Sequence, residues 1–429
     1  MSLLIKGGLV VDPSRHLEDH LDLLVEKGKI AALEAPGQIP EEGRRVISAA
    51  GLVVAPGLFD MHVHLREPGE EYKETIYTGT KAAVQGGLTA VACMPNTKPV
   101  NDTAAVTRMI LDQAKDAGNS RVYPVGAISV GSQGQALSEY GDLKAAGVVA
   151  LSDDGHPVSN AMLMRRAMEY AKTFDLPIIS HCEDLDLSAD GVMHEGAISL
   201  QLGLKGIPGA AEEVMIYRDL TLASLTGARL HIAHVSTAGS VAIIRLAKGM
   251  GLGVTAETAP HYFTLTDEAV LGYNTNAKVK PPLRTEMDVQ SIKGALRDGT
   301  LDTIACDHAP HSSLEKDLEF TAAAFGLIGL ETSLGLTLKL VHAKELSLLQ
   351  AIEALSTNPA RNLGVVGGTL AVGAPADITL IDLNREWTVD VNTFASKSRN
   401  CPFNGWPLKG KAVMTIVGGK VVWEEESRG

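Results

Sequence analysis

Residues 51–65 read GLVVAPGLFDMHVHL, a largely apolar run that ends in two histidines, His62 and His64. Such a run is typical of a strand that is buried on both faces, as in a parallel sheet. Seven later runs repeat this design of a Val-, Ile- or Ala-rich body with a polar end: GGLTAVACMPN (86–96), RVYPVGAIS (121–129), GVVALSDD (147–154), LPIISHCED (176–184), RLHIAHVS (229–236), GLGVTAETAPHY (251–262) and DTIACDHAPH (302–311).

Helical stretches lie between these runs, among them NAMLMRRAMEYAKTF at 160–174 and AEEVMIYRDLTLASLTG at 211–227. Eight strand–helix units are what a closed (β/α)8 barrel requires, and the active site of such a barrel lies at the C-terminal ends of its strands. A doubly wound sheet is the alternative, but no GxGxxG follows the first strand and the polar strand ends extend over the whole series. We therefore predict an α/β protein with a (β/α)8 TIM-like barrel over residues 56–364.

The two ends of the chain are predicted to form a second, smaller unit. Residues 1–55 contain short alternating strands and turns, for example SLLIKGGLVVD at 2–12. Residues 365–429 continue in the same style, with KAVMTIVGGKVVWEE at 411–425. Neither end has a core of its own, so we expect one small β-sandwich domain that is formed from both termini.

Composition excludes several classes of protein. The 429 residues carry a formal net charge of −13, with 45% apolar and 21% charged residues. This balance is that of an ordinary globular protein, and the negative charge argues against nucleic acid or an anionic membrane surface as a partner. No apolar segment reaches the length of about 18 residues that a membrane span needs, and no signal peptide is evident. The four cysteines are far apart, which leaves no disulfide framework and no thiolate zinc site and favours the cytoplasm.

The polar strand ends point to a metal centre. The i, i+2 spacing of His62 and His64 directs both imidazoles to one side of a strand, although core histidines could share this pattern. Other runs end in further ligand types, namely Asp153, Asp154, His181, His234 and Asp307. A barrel gathers its strand ends around one point, and this donor set suits Zn²⁺, with Mn²⁺, Co²⁺ or Fe²⁺ as alternatives. It is also sufficient for two ions that share one carboxylate.

The first barrel unit, DMHVHLREPGEEYKETIYTGTKAAVQGGLTAVACMPNTKP at residues 60–99, closely resembles the dihydroorotases of the amidohydrolase superfamily. The resemblance continues in order through SDDG, SHCED, HVST, ETAPHYF, PPLR, DHAPH, EF and FGLIGLET, and it covers nearly the whole chain. In the bacterial class I members an aspartate after the fourth strand replaces a carboxylated lysine as bridging ligand. No lysine occurs between Ala145 and Pro157, which fits that group and counts against the dihydropyrimidinase and allantoinase branches.

The resemblance implies a metal site built from His62, His64, Asp154, His181, His234 and Asp307. In that assignment His62 and His64 hold the first ion, His181 and His234 hold the second, and Asp154 bridges them. Asp153 is the alternative bridging residue, because two adjacent residues at a strand end face opposite sides and only one can reach the lumen; we prefer Asp154. Asp307 is the implied general acid and base, close to or on the first ion.

The substrate-binding residues that the resemblance implies are His64, Arg66, Asn96, Lys280, His311, Phe325 and Gly326. Arg66 and Asn96 would hold a substrate carboxylate, Arg66 through a bidentate fork that a lysine could not copy. His311 would assist at the carboxylate or the carbonyl, and Phe325 and Gly326 would contact the ring through their backbone. Lys280 departs from the pattern, because many relatives carry an asparagine before PPLR; a lysine can reach an anion but cannot accept a hydrogen bond.

The implied activity is zinc-dependent, with two ions per subunit. It is the reversible cyclisation of N-carbamoyl-L-aspartate to L-dihydroorotate and water, the third step of de novo UMP synthesis. The resemblance also implies a homodimer and allows a complex with aspartate transcarbamoylase. A non-catalytic scaffold for that transcarbamoylase is one alternative, but such homologues have lost ligands that this chain keeps. Another cyclic amidohydrolase, acting on hydantoin, allantoin or dihydropyrimidine, is the second; those substrates lack the ring carboxylate that Arg66 and Asn96 would hold.

Several polar residues near these motifs are expected to have no direct role in the site. The charged run at residues 70–74 is expected to be the solvated start of a helix. His231 lies three residues before His234 and is expected to pack away from the lumen. His261 is expected to be structural, and His308, next to Asp307, is expected to face the opposite side.

Overall fold

The computed structural model describes residues 2–425, and its first strands belong to a sheet outside the barrel. They are β1 (Ser2–Asp12), β2 (Leu17–Glu26), β3 (Lys29–Glu34), β4 (Arg45–Ser48) and β5 (Val53–Pro56). Strand β1 is central, since it pairs antiparallel with β2 and parallel with both β4 and β5.

The next strands include those of the barrel. In chain order they are β6 (Leu58–Val63), β7 (Leu88–Cys93), β8 (Arg121–Gly126), β9 (Ala150–Leu151), β10 (Ile178–Ser180), β11 (Met193–His194), β12 (Gly206–Ile207), β13 (Leu230–Ile232), β14 (Val254–Thr258) and β15 (Thr303–Ile304). Strands β11 and β12 form a separate ribbon, and the other eight form one sheet in sequence order. All its pairings are parallel, and a parallel bridge between Val63 and His308 joins the last strand unit to the first. The eight predicted runs thus become the eight strands of the predicted TIM-like barrel.

Helices lie between the barrel strands and after them. They are α1 (Ile76–Gln85), α2 (Ala104–Ala117), α3 (Tyr140–Ala146), α4 (Ala161–Thr173), α5 (Leu185–Ser188), α6 (Ala197–Leu202), α7 (Ala210–Thr226), α8 (Ala238–Gly249), α9 (Glu286–Asp298), α10 (Ser313–Lys316), α11 (Ser333–His342), α12 (Leu348–Ile352) and α13 (Asn358–Leu363). Polar caps fix several starts: the Asn160 side chain accepts from the backbone N–H groups of Met162 and Leu163 at the beginning of α4, which satisfies donors that a helix leaves unpaired. Over residues 2–425, no helix is both long enough and apolar enough to cross a membrane.

The chain ends in β16 (Ile378–Thr388), β17 (Pro407–Val417) and β18 (Lys420–Glu424). Because β16 pairs antiparallel with β5 as well as with β17, strands from both termini form one eight-stranded sheet. The sheet has a core to which both termini contribute, including Val10, Leu23 and Ile416. The two ends therefore combine as predicted. Division of the chain into residues 1–55, 56–364 and 365–429 remains a proposal; β5 and α13 end close to its two boundaries.

Apolar side chains fill the interior of the barrel towards the N-terminal ends of its strands. Residues from strands all round the barrel form one buried cluster, which includes Met61, Ala92, Val125, Ala150, Ile179, Ala233 and Ala305. Ala360 and Leu363 of α13 join this cluster, and the Asn362 side chain of the same helix donates to Thr303 Oγ1 at the start of β15. Since the N-terminal end of the barrel is closed in this way, polar chemistry is confined to the C-terminal ends of the strands.

Candidate metal centre and active site

Four histidines from three barrel strands converge on the carboxylate of Asp154. Its Oδ1 atom lies 3.4 Å from His62 Nε2 and 3.4 Å from His181 Nδ1. The same oxygen is 3.6 Å from His234 Nε2, and Oδ2 is 3.5 Å from His64 Nε2. All five side chains are buried. Their ligand atoms form two groups that share Asp154, one with His62 and His64 and the other with His181 and His234.

Hydrogen bonds from the far side of the ring orient His62 and His64. His62 Nδ1 lies 2.6 Å from Glu257 Oε1; because a carboxylate oxygen only accepts, Nδ1 donates this hydrogen bond, and Nε2 is the nitrogen that faces Asp154. His64 Nδ1 donates in the same way to Asn96 Oδ1 at 2.8 Å. Such partners fix the tautomer and the orientation of metal-binding imidazoles.

An irregularity in the pairing of β6 with β7 directs the side chain of His62 into the interior of the barrel. Phe59 and Met61 pack in the lumen cluster, so strict alternation would direct His62 outward to the helices. The pairing of β6 with β7 shifts between Asp60 and Val63, and Val63 packs in the outer core instead. Asp60 supports the irregular segment, because its Oδ1 accepts from the backbone N–H of His62 at 3.0 Å. Irregularities of this kind re-aim side chains next to active sites.

The two adjacent aspartates have different environments. Asp154 faces the histidines; burial would raise its pKa, but His62, His181 and His234 hold the pKa of this carboxyl well below its usual range. Asp153 instead accepts from the backbone N–H of Ser129 at 3.1 Å and from the Ser129 hydroxyl, and burial raises the pKa of its carboxyl. The geometry supports Asp154 as the bridging ligand, an assignment that remains a proposal.

Asp307 lies beside the first pair of histidines. Its Oδ1 is 3.2 Å from His64 Nε2 and 3.6 Å from His62 Nε2, and these two rings hold the pKa of the carboxyl below its usual range against the effect of burial. Asp307, His234 and Arg66 all adopt left-handed backbone, with φ of +49°, +36° and +61°. Residues held in this region store strain of about 1–3 kcal/mol each and cluster at functional sites.

Arg66 and His311 form a pair beside this centre. Arg66 is 8% exposed, its Nε donates to the Pro310 carbonyl at 3.1 Å, and its Nη2 lies 3.2 Å from His311 Nε2. Because guanidinium only donates, His311 accepts through Nε2 and is neutral. Burial and the charge of Arg66 lower the pKa of His311 to about 2, which agrees with this assignment.

Of the remaining predicted substrate contacts, Lys280 connects to His181 through Glu183, whereas Gly326 lies beside Ala309 and His311. Glu183 Oε2 is 3.2 Å from His181 Nε2, and its Oε1 is 2.9 Å from Lys280 Nζ. The Lys280 ammonium also lies 5.4 Å from the centre of the Phe325 ring. The Gly326 N–H is already bound to the Lys278 carbonyl at 2.8 Å, so a contact of Gly326 with substrate would have to avoid that amide.

The charged run at residues 70–74 is not the solvated start of a helix, contrary to the sequence-based expectation. Glu70 and Lys73 are 6% exposed and Glu74 is fully buried. Lys73 Nζ lies 3.0 Å from Glu70 Oε1 and 2.9 Å from Glu315 Oε1. The run is therefore a buried ionic network that connects the loop after β6 to α10, the helix that follows His311.

Sequence reasoning overlooked Glu257 and misplaced His231. Besides orienting His62, Glu257 accepts through Oε2 from His231 Nε2 at 3.1 Å, and His231 Nδ1 lies 2.8 Å from Thr255 Oγ1. His231 therefore does not pack away from the lumen; it supports the partner of a proposed ligand. A charged glutamate inside the short buried strand VTAET was the signal that could have identified this pair. His261 is buried and His308 lies 3.3 Å from Glu74 instead, as expected for residues outside the ligand set.

The residues fit a divalent metal centre. Among residues 2–425, the buried atoms His62 Nε2 and Asp154 Oδ1 have no hydrogen-bond partner. Leaving buried polar atoms unsatisfied is costly, and a cation between these two atoms would satisfy both. Neutral imidazole nitrogens with ionised carboxylates are the donors that zinc and similar divalent metals prefer.

Comparisons with known proteins agree with this site. The family model described as "Dihydro-orotase-like" matches residues 51–240, and the one described as "Amidohydrolase family" matches residues 332–423. A dihydroorotase from Geobacter metallireducens is 58% identical over 99% of this chain and 100% of its own length. A dihydroorotase from Syntrophus aciditrophicus is 56% identical with the same coverage.

Solved structures show the same architecture. The L-hydantoinase (dihydropyrimidinase) from Arthrobacter aurescens superposes with a TM-score of 0.88 at 27% identity, covering 99% of this chain and 96% of that one. The D-hydantoinase (dihydropyrimidinase) from a Thermus species gives a TM-score of 0.82 at 26% identity, with 98% and 94% covered.

The barrel and the buried His/Asp cluster at its C-terminal end, together with these matches, define the class of protein: a cyclic amide hydrolase of the amidohydrolase superfamily with a candidate metal site. Within that class, the chain belongs to the dihydroorotase family.

Proposed function

We propose that this protein is a zinc-dependent dihydroorotase. It interconverts N-carbamoyl-L-aspartate and L-dihydroorotate plus water, the third step of de novo pyrimidine (UMP) biosynthesis. The observation that carries the proposal is one carboxylate, Asp154, within 3.6 Å of four histidine nitrogens. A buried arginine suited to a substrate carboxylate lies beside this centre. The full-length similarity to dihydroorotases supports the choice of substrate.

The donor set fits two Zn²⁺ ions, and Asp154 would be the ligand that both groups share. His62 and His64 would hold the first ion and His181 and His234 the second. When bound, the metal lowers the pKa of a water molecule so that it attacks at neutral pH, and it polarises the amide carbonyl. Glu257, Asn96 and Glu183 hold the far sides of His62, His64 and His181, which keeps the ligating nitrogens turned to the centre.

Arg66 is the proposed anchor for the ring carboxylate. Two of its nitrogens are engaged with Pro310 and His311, whereas Nη1 is 3.9 Å from the nearest Glu70 oxygen, beyond hydrogen-bond distance. The Nη1 and Nη2 atoms thus retain N–H groups for a carboxylate. His311, held neutral, fixes the tilt of the guanidinium. Lys280 adds positive charge on the side of the site near Glu183.

Asp307 is the proposed proton carrier. In hydrolysis its carboxylate takes the proton of the attacking water and delivers it to the ring nitrogen as the carbon–nitrogen bond breaks. In cyclisation the same group removes a proton from the carbamoyl nitrogen and transfers it to the departing oxygen. Its position 3.2 Å from His64 Nε2 places it at the edge of the histidine cluster.

We also propose a cytoplasmic location, a homodimer and, as a hypothesis from the resemblance, association with an aspartate transcarbamoylase. The four buried free cysteines are compatible with a reducing compartment. Light scattering of the purified protein, alone and mixed with the transcarbamoylase from the same organism, would test both assemblies. A monomer that is fully active alone would contradict them.

Activity assays on zinc-reconstituted protein test the central proposal. We expect turnover of dihydroorotate, loss of that turnover after chelation and its return with Zn²⁺. Dihydrouracil and hydantoin, which lack the ring carboxylate, should be poor substrates. Turnover of these two compounds but not of dihydroorotate would show a hydantoinase-type enzyme, and activity that survives complete metal removal would exclude the proposed chemistry.

A further inference from the structure

Two lysines bury their ammonium groups without an acidic partner. Lys278 is 1% exposed and Lys316 is 3% exposed, and within residues 2–425 neither forms a salt bridge. Burial, together with the charge of Lys280, lowers the pKa of Lys278 to about 8. Burial and the charge of Lys278 lower the pKa of Lys316 to about 7. A buried cation without a counter-ion is costly, so these lysines must contribute something that an apolar residue could not.

Their hydrogen-bond partners all belong to one segment, residues 320–326. Lys278 Nζ donates to the carbonyls of Phe320, Thr321 and Ala323, and Lys316 Nζ donates to those of Ala324 and Gly326, at distances of 2.6–3.0 Å. The segment lies between α10 and α11 and is irregular, so its carbonyls lack helical partners. We call Lys278 and Lys316 the lysine clamp.

The lysine clamp connects directly to the proposed substrate contacts. Lys278 Nζ lies 4.4 Å from the centre of the Phe325 ring, with Lys280 Nζ at 5.4 Å. Ammonium groups attract an aromatic ring at this range. The Gly326 N–H donates to the Lys278 carbonyl, so Lys278 holds the segment through its backbone as well as its side chain.

Asn400 extends the connection to His311. Its Nδ2 donates to the carbonyls of Gly326 at 3.1 Å and Ala309 at 3.0 Å. Its Oδ1 accepts from the His311 N–H at 3.1 Å. A displacement of the clamped segment would therefore also move the residue that fixes Arg66.

We propose that the lysine clamp is a positioning device for substrate binding: Lys278 and Lys316 fix residues 320–326 so that Phe325 and the Arg66–His311 pair are preset to receive the substrate ring and its carboxylate. The inference rests on the proposed function for the identity of the substrate. Neither lysine touches the substrate or the proposed metal ligands, so the clamp acts on binding and leaves the chemical step to the metal centre and Asp307.

The test compares Lys278→Met and Lys316→Met with the zinc-reconstituted wild type. We expect KM for dihydroorotate to rise at least tenfold, while kcat stays within threefold and zinc content is unchanged. Amide hydrogen exchange in residues 317–327 should accelerate at least tenfold, with residues 176–184 unaffected. Lys293→Met is the matched control. Lys293 lies on α9 and its Nζ pairs with Glu345 at 3.2 Å, so this variant should change neither the KM for dihydroorotate nor the exchange of residues 317–327.

Lys316→Gln keeps the test decisive if the methionine variants do not fold. Glutamine retains two N–H donors for the two carbonyls that Lys316 binds. The KM and the exchange rate of Lys316→Gln should therefore rise above those of wild type, but by less than in Lys316→Met where that variant folds. Unchanged exchange and KM in Lys316→Gln and in any folded methionine variant would overturn the proposal, as would a fall in kcat at constant KM. Wild type that does not turn over dihydroorotate would instead refute the proposed function, and the exchange measurement would still decide whether the clamp holds the segment.

Discussion

His62 Nδ1 and Glu257 Oε1 lie 2.6 Å apart inside the barrel, and neither side chain is more than 1% exposed. Burial would raise the pKa of the Glu257 carboxyl, but His62 and His231 lower it to about 2. An ionised Glu257 keeps the proton of His62 on Nδ1, which leaves Nε2 as a ligand. A carboxylate behind a metal-binding histidine also makes the ring a stronger donor.

Glu257→Gln should therefore weaken metal binding without removing a ligand. Glutamine keeps the size and the hydrogen-bond acceptor but loses the negative charge, and changes of this kind typically cost about 10- to 100-fold in metal affinity. Competition with a zinc chelator would measure the constant. Glu268→Gln, at an exposed glutamate, is the control. An affinity for Zn²⁺ within twofold of wild type would show that Glu257 has no role in orienting His62.

The adjacent aspartates allow a matched pair of substitutions. Asp154→Asn removes the charge that both ligand groups share, so both ions and the activity should be lost. Asp153→Asn should leave zinc content unchanged and lower thermal stability, because Asp153 binds Ser129 rather than the histidines. Metal analysis of the two purified variants distinguishes them, and the reverse result would identify Asp153 as the bridging residue.

Arg66→Ala should act mainly on KM for dihydroorotate. A charge-assisted hydrogen bond contributes about 1.5–3 kcal/mol, which corresponds to a rise in KM of about 10- to 150-fold. The low turnover of dihydrouracil, which has no carboxylate to lose, should change far less. Arg66→Lys should recover little, because lysine cannot form the bidentate contact. If both substrates lost activity equally, Arg66 would be a structural residue.

The fold and much of this site followed from the sequence because their signals are local. An apolar run with a polar end requires no distant partner to be recognised, and barrel geometry then brings His62, His181, His234 and Asp154 together. Other features depend on residues far along the chain. The local sequence predicts that Lys73 is solvated. In the fold its ammonium lies 2.9 Å from Glu315, which follows it by more than two hundred residues.

The direction of His62 shows a second limit. Strict alternation from Met61 cannot place His62 in the lumen, and the shift in pairing near Asp60 that does so is a property of two strands together. The sequence-based prediction placed both imidazoles inside the barrel because it used only the i, i+2 spacing of His62 and His64 and not the residues that precede them. Glu257 was missed for a related reason: its importance comes from His62 on a strand across the barrel.

Asp307→Asn should reduce kcat strongly while preserving the protein's zinc. If Asp307 carries the proton, its loss should cost about 10²- to 10⁴-fold in kcat, with KM little changed. Asparagine is nearly the same size and can still accept a hydrogen bond near His64. The pH optima of cyclisation and hydrolysis by wild type should differ, because hydrolysis releases a proton when the new carboxylic acid ionises and cyclisation takes that proton up. A kcat for Asp307→Asn within threefold of wild type would contradict Asp307 as the proton carrier.

The cysteines provide a prediction that is independent of the metal centre. All four are buried, and burial raises the pKa of the Cys93 and Cys401 thiols to about 12. At pH 8 only about one in ten thousand of such thiols is ionised, and the thiolate is the reactive form.

Native protein should therefore resist a thiol reagent such as Ellman's reagent over an hour at pH 8, whereas protein in guanidinium chloride should release four equivalents of chromophore. Raising the pH to 9 should accelerate the native reaction about tenfold if exposure is not limiting, and not at all if burial blocks access. Rapid modification of even one cysteine in folded, active enzyme at pH 8 would show that the barrel opens far more readily than its packing implies.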